Sequence, residues 1–304
     1  MLAEERHPER GRFVRDQVAA LRELGGLDVE RYEFAPGAGE LARSARALRR
    51  RCRGERFDVV HAHFGLTAWP ALAVKARARA LTLHGTDLAH PRTRLLTRAV
   101  LPFMDLVATA SEPLIAQIPG QRARSRAQAL PCGVDTDRFK PMSREQSRRE
   151  LDLPKDAPLL LFAADPARGE KRHDRALALA RAMDARLLTL GGVAPERVPL
   201  YVNAANAVIV PSEREGFGLA VLEALACDVP VLATPVGIHP QALDGLAGAL
   251  CARFELKEWT EALAPHLALA DPRISGRTRA EQFSARRMAE RVAGAWRTLV
   301  ANAG

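Results

Sequence analysis

The segment 207–233 constrains the fold of this chain more than any other stretch. It reads as an apolar strand over residues 207–210, a polar turn with two glycines, an apolar helix and a second apolar strand over residues 229–233. Two strands joined through a helix pair in parallel, so the segment predicts an α/β fold. The N-terminus of the helix then lies at the carboxyl edge of the sheet, where such proteins bind phosphorylated ligands.

Two glutamates stand on either side of the start of this helix. Glu215 lies in the turn, Glu223 lies eight positions later within the helix, and Gly216, Phe217 and Gly218 follow Glu215. Backbone amides at a helix N-terminus suit phosphate, and carboxylates accept hydrogen bonds from sugar hydroxyls. A ligand that carries both groups, such as a nucleotide sugar, fits this pattern. The alternative is structural: Glu215 then interacts with the helix dipole and Glu223 forms a salt bridge.

Strands and helices alternate along the whole chain in two series. The first series starts with a helix after Gly11, and the second starts with an apolar strand at Leu159. The strands predicted in the first series are residues 27–34, 57–63, 80–84 and 106–110. Such alternation predicts two doubly wound, mostly parallel sheets that are covered by helices on both faces.

A loop rich in proline, glycine and aspartate over residues 131–141 separates the two series. We therefore expect an N-terminal domain over residues 1–140, a second domain over residues 141–282, and a last helical segment, 283–304, that crosses back to the first domain. The N-terminal domain opens with a helix, whereas a doubly wound domain normally opens with a buried strand. The first strand of this domain is therefore expected to be missing.

The chain is strongly basic, with a formal net charge of +9. Its densest cluster of arginines, over residues 43–56, is predicted to lie on one helix. Aromatic residues make up only 5% of the chain and do not interleave with these arginines, which argues against nucleic acid as a partner. Two interpretations stay open, namely a solvated helix face and a contact with an anionic membrane surface.

Nothing in the sequence indicates secretion or insertion into a membrane. It contains no uninterrupted apolar stretch of 18 residues, and its N-terminus lacks the apolar core of a signal peptide. The four cysteines are far apart and lack metal-ligand spacing, which is typical of free thiols in a reducing compartment. We expect a cytoplasmic protein, either free or peripheral on the inner membrane face.

Four motifs resemble, in order, those of the family 4 retaining glycosyltransferases (group 1), whose GT-B fold consists of two Rossmann-like domains facing a cleft. Residues 57–63 match the strand before that family's histidine loop, and residues 83–87 match the loop itself. Residues 131–141 match its interdomain sequence, and the segment 207–233 matches its signature of two glutamates around Gly-Phe-Gly. The resemblance covers residues 8–300 and implies a donor held by the second domain and an acceptor held by the first.

The resemblance assigns the contacts with the donor to the second domain. It implies that Glu223 accepts hydrogen bonds from the hydroxyls of the ribose. It implies that Glu215 orients the donor sugar and stabilises charge that develops during transfer. Further donor contacts are expected from the turn, the start of the helix and the segment beside the base, namely Gly216, Phe217, Gly218, Leu219, Val198 and Pro199.

The phosphate-binding stretch is where the sequence departs from the family. After the first strand of its second domain the family has Gly-Arg and then Lys-Gly, whereas here Asp165 stands at the arginine position. Lys171 still matches the family lysine, and Arg172 replaces the glycine. We expect Lys171 and Arg168 to act as catalytic cations that neutralise charge on the departing diphosphate. The alternative is that Arg168 and Arg172 are ordinary surface residues.

On the acceptor side the resemblance singles out Gly11, His84 and Asp87. Gly11 matches the end of a glycine loop. His84, which Gly85-Thr86-Asp87 follow, is expected to hydrogen-bond the sugar or to help hold the acceptor. His61 and His63 are expected to face opposite sides of their strand and to support the core. No Asp-x-Asp motif is placed to bind a metal, so we expect neither a metal nor another cofactor.

These features together predict a retaining hexosyltransferase. It would move a sugar from a nucleotide-diphosphate sugar to a glycan, lipid-linked or small-molecule acceptor, in cell-surface polysaccharide biosynthesis. Two alternatives stay open. A nucleotide-sugar epimerase of the GT-B fold would bind the same donor. A truncated, inactive nucleotide-sugar-binding protein would account for the missing strand and for Asp165.

Overall fold

The computed structural model describes residues 11–35 and 37–303, apart from the side chain of Ala38. The chain forms two compact units: unit 1 comprises Met1–Gly133 and Ala285–Gly304, and unit 2 comprises Val134–Ser284. The last helix thus belongs to unit 1, and unit 2 begins at Val134 rather than at residue 141. Hydrogen bonds within unit 2 hold this stretch: the amide of Val134 donates to the carbonyl of Phe283 at 2.9 Å, and the guanidinium of Arg277 donates to the carbonyl of Phe139 at 3.2 Å.

Unit 1 is built on four parallel strands in the order β1-β2-β3-β4. These are β1 (Phe57–His63), β2 (Ala76–Leu83), β3 (Leu106–Thr109) and β4 (Ala127–Ala129). The inner strands β2 and β3 are mostly buried, as parallel strands covered on both faces are. The helices before residue 134 are α1 (Arg12–Leu24), α2 (Ala38–Arg51), α3 (Ala68–Ala71), α4 (Thr86–Ala89), α5 (Pro91–Val100), α6 (Glu112–Ile115) and α7 (Gln121–Arg124).

Residues 27–34 do not form the expected strand. Within the described residues this segment has one bridge residue, Phe34, and no strand. The carbonyl of Val29 instead accepts a hydrogen bond from the Arg22 guanidinium, 2.6 Å from Nη2. Residues of the segment and of β1 line a shared cavity of about 210 Å³ rather than pairing with each other. The prediction that the first strand of this domain is missing concerns residues 1–10, which lie outside the described residues.

The arginine cluster lies only partly on a helix. α2 ends at Arg51, so Arg53 and Arg56 follow it. Arg49, Arg50 and Arg51 are exposed on its last turn, where their charge suits the helix dipole. Over residues 11–35 and 37–303, no helix combines the length and the apolar character needed to cross a membrane.

Unit 2 is built on five parallel strands in the order β6-β5-β7-β8-β9. These are β5 (Leu159–Phe162), β6 (Arg186–Thr189), β7 (Ala207–Val210), β8 (Val231–Ala233) and β9 (Leu250–Cys251). Apolar side chains of β5, β7, α9 (His173–Ala182) and α13 (Leu256–Leu267) form a core cluster of this unit. The remaining helices are α8 (Arg144–Glu150), α9 (His173–Ala182), α10 (Val198–Ala204), α11 (Leu219–Ala226), α12 (His239–Leu243), α13 (Leu256–Leu267), α14 (Arg277–Glu281) and, in unit 1, α15 (Ala285–Asn302).

The register of the sheet in unit 2 brings three loops together. Phe162 of β5 pairs with Ile209 of β7, and Val210 of β7 pairs with Ala233 of β8. The carboxyl ends of the three strands therefore lie side by side. The loops that follow them meet at one edge of the sheet, which is where ligands bind in open α/β sheets. They span residues 163–172, 211–218 and 234–238.

Candidate active site

Lys171 and Glu215 meet at the carboxyl edge of the sheet in unit 2. Lys171 Nζ lies 2.6 Å from Glu215 Oε2, and the exposed fractions of the two side chains are only 13% and 8%. Ser212 Oγ donates to the other carboxylate oxygen, Oε1, at 2.8 Å. A buried ion pair needs such additional hydrogen bonds to offset the loss of hydration. One cation and one carboxylate are thus held in fixed positions.

The turn before α11 is shaped by glycine. Gly218 is the N-cap of α11 with φ +109°, a conformation that side chains other than glycine rarely adopt. The carbonyl of Phe217 accepts from the amide of Ile238 at 2.8 Å, which joins this turn to the loop after β8. The first amides of a helix lack intrahelical acceptors and carry partial positive charge. The start of α11 therefore suits an anion, with Glu215 and Lys171 beside it.

In unit 1, His84 directly follows β2 and is buried among rings. Its Nε2 lies 3.1 Å from Nδ1 of His63, and its ring centroid lies 4.5 Å from that of Phe13 and 4.7 Å from that of Phe64. Burial lowers the pKa of His84 to about 3, and the nearby His61 adds to this. The imidazole is therefore neutral at physiological pH, so it can form hydrogen bonds but is not an imidazolium acid.

Asp87 and Gly11 both hold local structure in unit 1. Asp87 is buried and accepts from the amide of His84 at 3.1 Å and from that of Gly65 at 3.3 Å. Burial raises the pKa of Asp87 to about 6, and the backbone hydrogen bonds act in the opposite direction. Gly11, with φ +70°, is the N-cap of α1. The acceptor-side roles of the two residues stay predictions.

His61 and His63 do not face opposite sides of β1; that expectation is wrong, because side chains two positions apart in a strand share a face. Their rings stack with centroids 4.7 Å apart. Trp296 Nε1 donates to His61 Nδ1 at 3.1 Å, so His61 carries its proton on Nε2, 2.8 Å from Thr82 Oγ1. Burial lowers the pKa of His61 to about 4 and holds that of His63 well below its usual value.

Comparison with known proteins places this architecture in a family. A family model described as Glycosyltransferase Family 4 matches residues 7–138, and one described as Glycosyl transferases group 1 matches residues 149–268. The D-inositol 3-phosphate glycosyltransferase of Actinosynnema mirum is 31% identical over 288 residues, which cover 75% of this chain and 68% of the relative. The chain belongs to the family 4 (group 1) glycosyltransferases. It spans 61–71% of the length of further relatives with the same name.

Solved structures share the fold of this family 4 glycosyltransferase. Sucrose-phosphate synthase from Thermosynechococcus elongatus matches it with a TM-score of 0.74 and 20% identity, over 95% of this chain and 93% of that one. Anabaena HepE in complex with UDP-glucose matches with a TM-score of 0.68 and 17% identity, over 95% and 96% of the two chains. Likeness at this level of identity shows the fold alone, and it confirms the prediction of a GT-B fold.

The other donor residues predicted for this glycosyltransferase lie on two neighbouring helices of unit 2. Leu219 opens α11 and Glu223 follows one turn later, both half-buried. Val198 and Pro199 open α10, which packs against α11. Because α10 and α11 each follow a strand of the parallel sheet, both helices begin at its carboxyl edge, where the Lys171–Glu215 pair also lies. The contacts of these residues with a donor stay predictions.

Arg168 is not part of the buried cluster. Its guanidinium pairs with Glu170 at 2.7 Å, and 56% of its side chain is exposed. Arg172, which replaces the family glycine, pairs with Asp174 and Glu213. The structure thus brings Lys171 but not Arg168 to the carboxylate, and the contact of Arg168 with a diphosphate stays a prediction.

Three further residues of the cluster escaped the sequence analysis: Ser212, Thr234 and His239. Thr234 Oγ1 donates to the carbonyl of Ser212, and the carbonyl of Thr234 accepts from His239 Nδ1 at 2.8 Å. Ser212 and Thr234 each stand just after the carboxyl end of a buried strand, β7 and β8. Polar residues at such ends are the signal that could have identified them.

In the described parts of the chain, the His, Cys, Asp and Glu side chains form no group of three or more that could hold a metal ion. The expectation that this glycosyltransferase needs no metal or other cofactor stays a prediction.

Proposed function

We propose that unit 2 of this glycosyltransferase binds a nucleotide-diphosphate sugar, and that the sugar passes with retained anomeric configuration to an acceptor held by unit 1. The observation that carries the proposal is the buried Lys171–Glu215 pair beside the start of α11. A lysine and helix amides suit a diphosphate, and a carboxylate suits sugar hydroxyls. The solved complex of HepE with UDP-glucose, which has the same fold, supports this type of ligand.

Each residue then has a defined task. Lys171 and the amides at the start of α11 neutralise the charge that builds on the departing diphosphate, an effect that typically contributes about 10²–10³ in rate per donor. Glu215 orients the sugar and Glu223 accepts from the ribose hydroxyls. Arg168 leaves its ion pair with Glu170 and binds the diphosphate instead. These groups supply the charge stabilisation, so we propose a reaction without metal or other cofactor.

The acceptor proposed first is a small polyol or its phosphate. Relatives named D-inositol 3-phosphate glycosyltransferase support it, since that name describes a small phosphorylated acceptor. Neutral His84 would then hydrogen-bond a hydroxyl of the acceptor or of the sugar. The leaving phosphate takes the proton of the attacking hydroxyl on the same face, which accounts for retention without a separate base.

A second candidate is a glycan or lipid-linked acceptor in cell-surface polysaccharide biosynthesis. The observation that favours it is the exposed arginine cluster on the last turn of α2. A cluster of this kind attracts anionic lipid at about 1 kcal/mol per side chain near the surface. The protein would then be cytoplasmic and peripheral on the inner membrane face, with no role for nucleic acid.

The test begins with a calorimetric screen of UDP-, GDP- and ADP-sugars. We expect one class to bind, and we expect the Glu223→Ala variant to bind it at least tenfold more weakly. Glu261→Ala removes an exposed carboxylate of α13 and serves as the matched control with unchanged affinity. Binding by no nucleotide sugar, or unchanged affinity in Glu223→Ala, would contradict the proposed donor site.

The reaction itself is tested by incubating the bound donor with and without polyol phosphates. We expect a glycosylated product only with acceptor present, and its anomeric configuration, read by NMR, should match that of the donor. An epimerised nucleotide sugar formed without acceptor would instead establish the epimerase alternative. Donor binding without any product would favour an inactive binding protein.

A further inference from the structure

His239 is the most unusual polar residue in unit 2. It opens α12, and its side chain is completely buried. Its Nδ1 lies 2.8 Å from the carbonyl oxygen of Thr234, which can only accept, so Nδ1 carries the proton. Nε2 of the neutral ring is then an acceptor. Within the described residues Nε2 has no hydrogen-bond partner.

The unpaired nitrogen faces the start of α11. A Cβ atom built on Gly218 would lie only 2.5 Å from His239 Nε2, so this nitrogen lies directly beside the N-cap of α11. That helix start is also where the amides lack intrahelical acceptors. A buried polar atom without a partner costs free energy, and such atoms in native proteins call for an explanation.

Hydrogen bonds also connect His239 to the ion pair. The ring donates to the carbonyl of Thr234, whose hydroxyl donates to the carbonyl of Ser212. The hydroxyl of Ser212 in turn donates to Glu215, which pairs with Lys171. His239 therefore belongs to the same buried network as the residues proposed to bind the donor.

The charged groups that act on the ring come from two loops. Burial lowers the pKa of His239 most, Glu215 of the turn raises it, and Lys171 of the preceding loop lowers it. Glu213 and Arg214, the other charged residues of the turn, are exposed. The net direction is downward, so the ring is neutral at pH 7 without ligand. A diphosphate at the turn adds negative charge, which favours the imidazolium form.

We propose that His239 is a proton-linked positioning residue of the donor site, whose Nε2 takes up one proton from solvent when a diphosphate ester binds at the start of α11. The identity of the ligand rests on the proposed function. The proton adds positive charge behind the diphosphate and leaves again when the nucleotide departs. Donor affinity should then rise as the pH falls, and level off once the ring is protonated without ligand.

The test uses titration calorimetry with UDP-glucose or, if the screen favours it, a GDP- or ADP-sugar. Both phosphates of these donors are diesters, so they lack the ionisation near pH 6 of a phosphomonoester, and any proton taken up belongs to the protein. We expect proton uptake at pH 6.5, read from the dependence of the binding enthalpy on the ionisation enthalpy of the buffer. We also expect Kd to fall severalfold from pH 8 to pH 6. The full decrease in Kd is about tenfold for each unit by which the bound donor raises the pKa of His239.

Variants separate this role from a purely structural one. His239→Asn places an amide donor near the carbonyl of Thr234 but cannot titrate, so it should bind without proton uptake and with a pH-independent Kd. His266→Asn removes another histidine of unit 2, on α13, and should keep the full linkage. If His239→Asn does not fold, the ¹⁵N resonance of His239 Nε2 in the wild type should still change from unprotonated to protonated on addition of donor.

The outcomes distinguish this inference from the proposed function. Donor binding without proton uptake, uptake that persists in His239→Asn, or an unchanged Nε2 resonance would overturn the inference and leave the donor site standing. If the wild type binds no nucleotide sugar, the proposed function fails and the inference fails with it.

Discussion

At the scale of single residues, the pairing of Lys171 with Glu215 determines how a substitution at either position is to be interpreted. Both side chains are largely buried, so removing one leaves the other charge without its partner. Loss of one partner from a buried pair typically costs about 3–5 kcal/mol. A loss of activity in Lys171→Ala would therefore combine lost donor binding with lost stability.

A second substitution separates these two effects. We expect Lys171→Ala to lower the free energy of unfolding by about 3 kcal/mol, and Lys171→Ala/Glu215→Gln to recover most of it because no buried charge is left unpaired. Binding of the donor should stay at least tenfold weaker in both variants, as measured by calorimetry beside urea unfolding. Arg168→Ala breaks an exposed pair and serves as the stability control, at below about 1 kcal/mol. Because Glu215 is also proposed to contact the sugar, recovery of donor binding in the double variant would contradict the roles of both residues.

At the scale of secondary-structure elements, the carboxylate of Asp87 connects the end of β2 to the loop after β1 by hydrogen bonds. It does so through the amides of His84 and Gly65. Its pKa is raised to about 6, above the unfolded value of 3.8, so Asp87 keeps its proton to a higher pH in the folded state than in the unfolded state. The stability linked to this proton is complete below pH 3.8 and is lost as the pH rises through about 6.

Asp87→Asn removes this titration. The free energy of unfolding of the wild type, minus that of Asp87→Asn, should fall by about 1 kcal/mol between pH 5 and pH 7.5. Urea unfolding at the two pH values measures it. The variant also loses one acceptor oxygen, but that effect does not depend on pH and cancels in the comparison. A difference that stays constant with pH would show that Asp87 does not titrate in this range.

The arginines at the end of α2 give a prediction for the membrane alternative. Arg49→Ala/Arg50→Ala should weaken binding to vesicles with anionic lipid about tenfold or more, at about 1 kcal/mol for each charge. Activity without lipid should not change, because neither residue belongs to the donor site. Arg286→Ala/Arg287→Ala on α15 removes two exposed arginines elsewhere in unit 1 and is the matched control. Equal vesicle binding by all three proteins would remove the support that α2 gives to this alternative.

Elements with strong local patterns were predictable from the sequence, and elements that depend on partners were not. The apolar runs of β5 and β7 and the helix after Gly218 carry their own signal, because parallel strands are buried on both faces. Residues 27–34 carry a similar signal, yet a strand also needs a neighbour with which to pair. Of the residues that surround Glu215, only Lys171 could be predicted from the sequence. His239 gave no signal, since its position beside Gly218 depends on how two loops pack.

At the scale of the whole molecule, the most strongly perturbed histidines are all in unit 1. His61, His63 and His84 are buried and neutral. Burial lowers the pKa of His61 to about 4 and that of His84 to about 3, and it holds the pKa of His63 well below its usual value. The unfolded chain binds these protons near pH 6.5, and the folded chain does not. Stability from the three residues is therefore complete above pH 6.5 and is lost as the pH falls towards their folded values.

Acidification should therefore destabilise unit 1 more than unit 2, where the lowered pKa values of His239 and His266 act in the same direction. From pH 7.5 to pH 5.5, His61 and His84 each cost about 1.4 kcal/mol and Asp87 returns about 1 kcal/mol, which leaves a net loss of about 2 kcal/mol. His63 acts in the same direction as the other two histidines. Hydrogen exchange, corrected for the intrinsic effect of pH, should show β2 losing protection while β7 of unit 2 loses less. His61→Gln should reduce the histidine contribution by about 1.4 kcal/mol, because it removes the proton linkage of His61. Equal loss of protection in β2 and β7, or an unchanged acid response in His61→Gln, would contradict the assignment of this linkage to the buried histidines of unit 1.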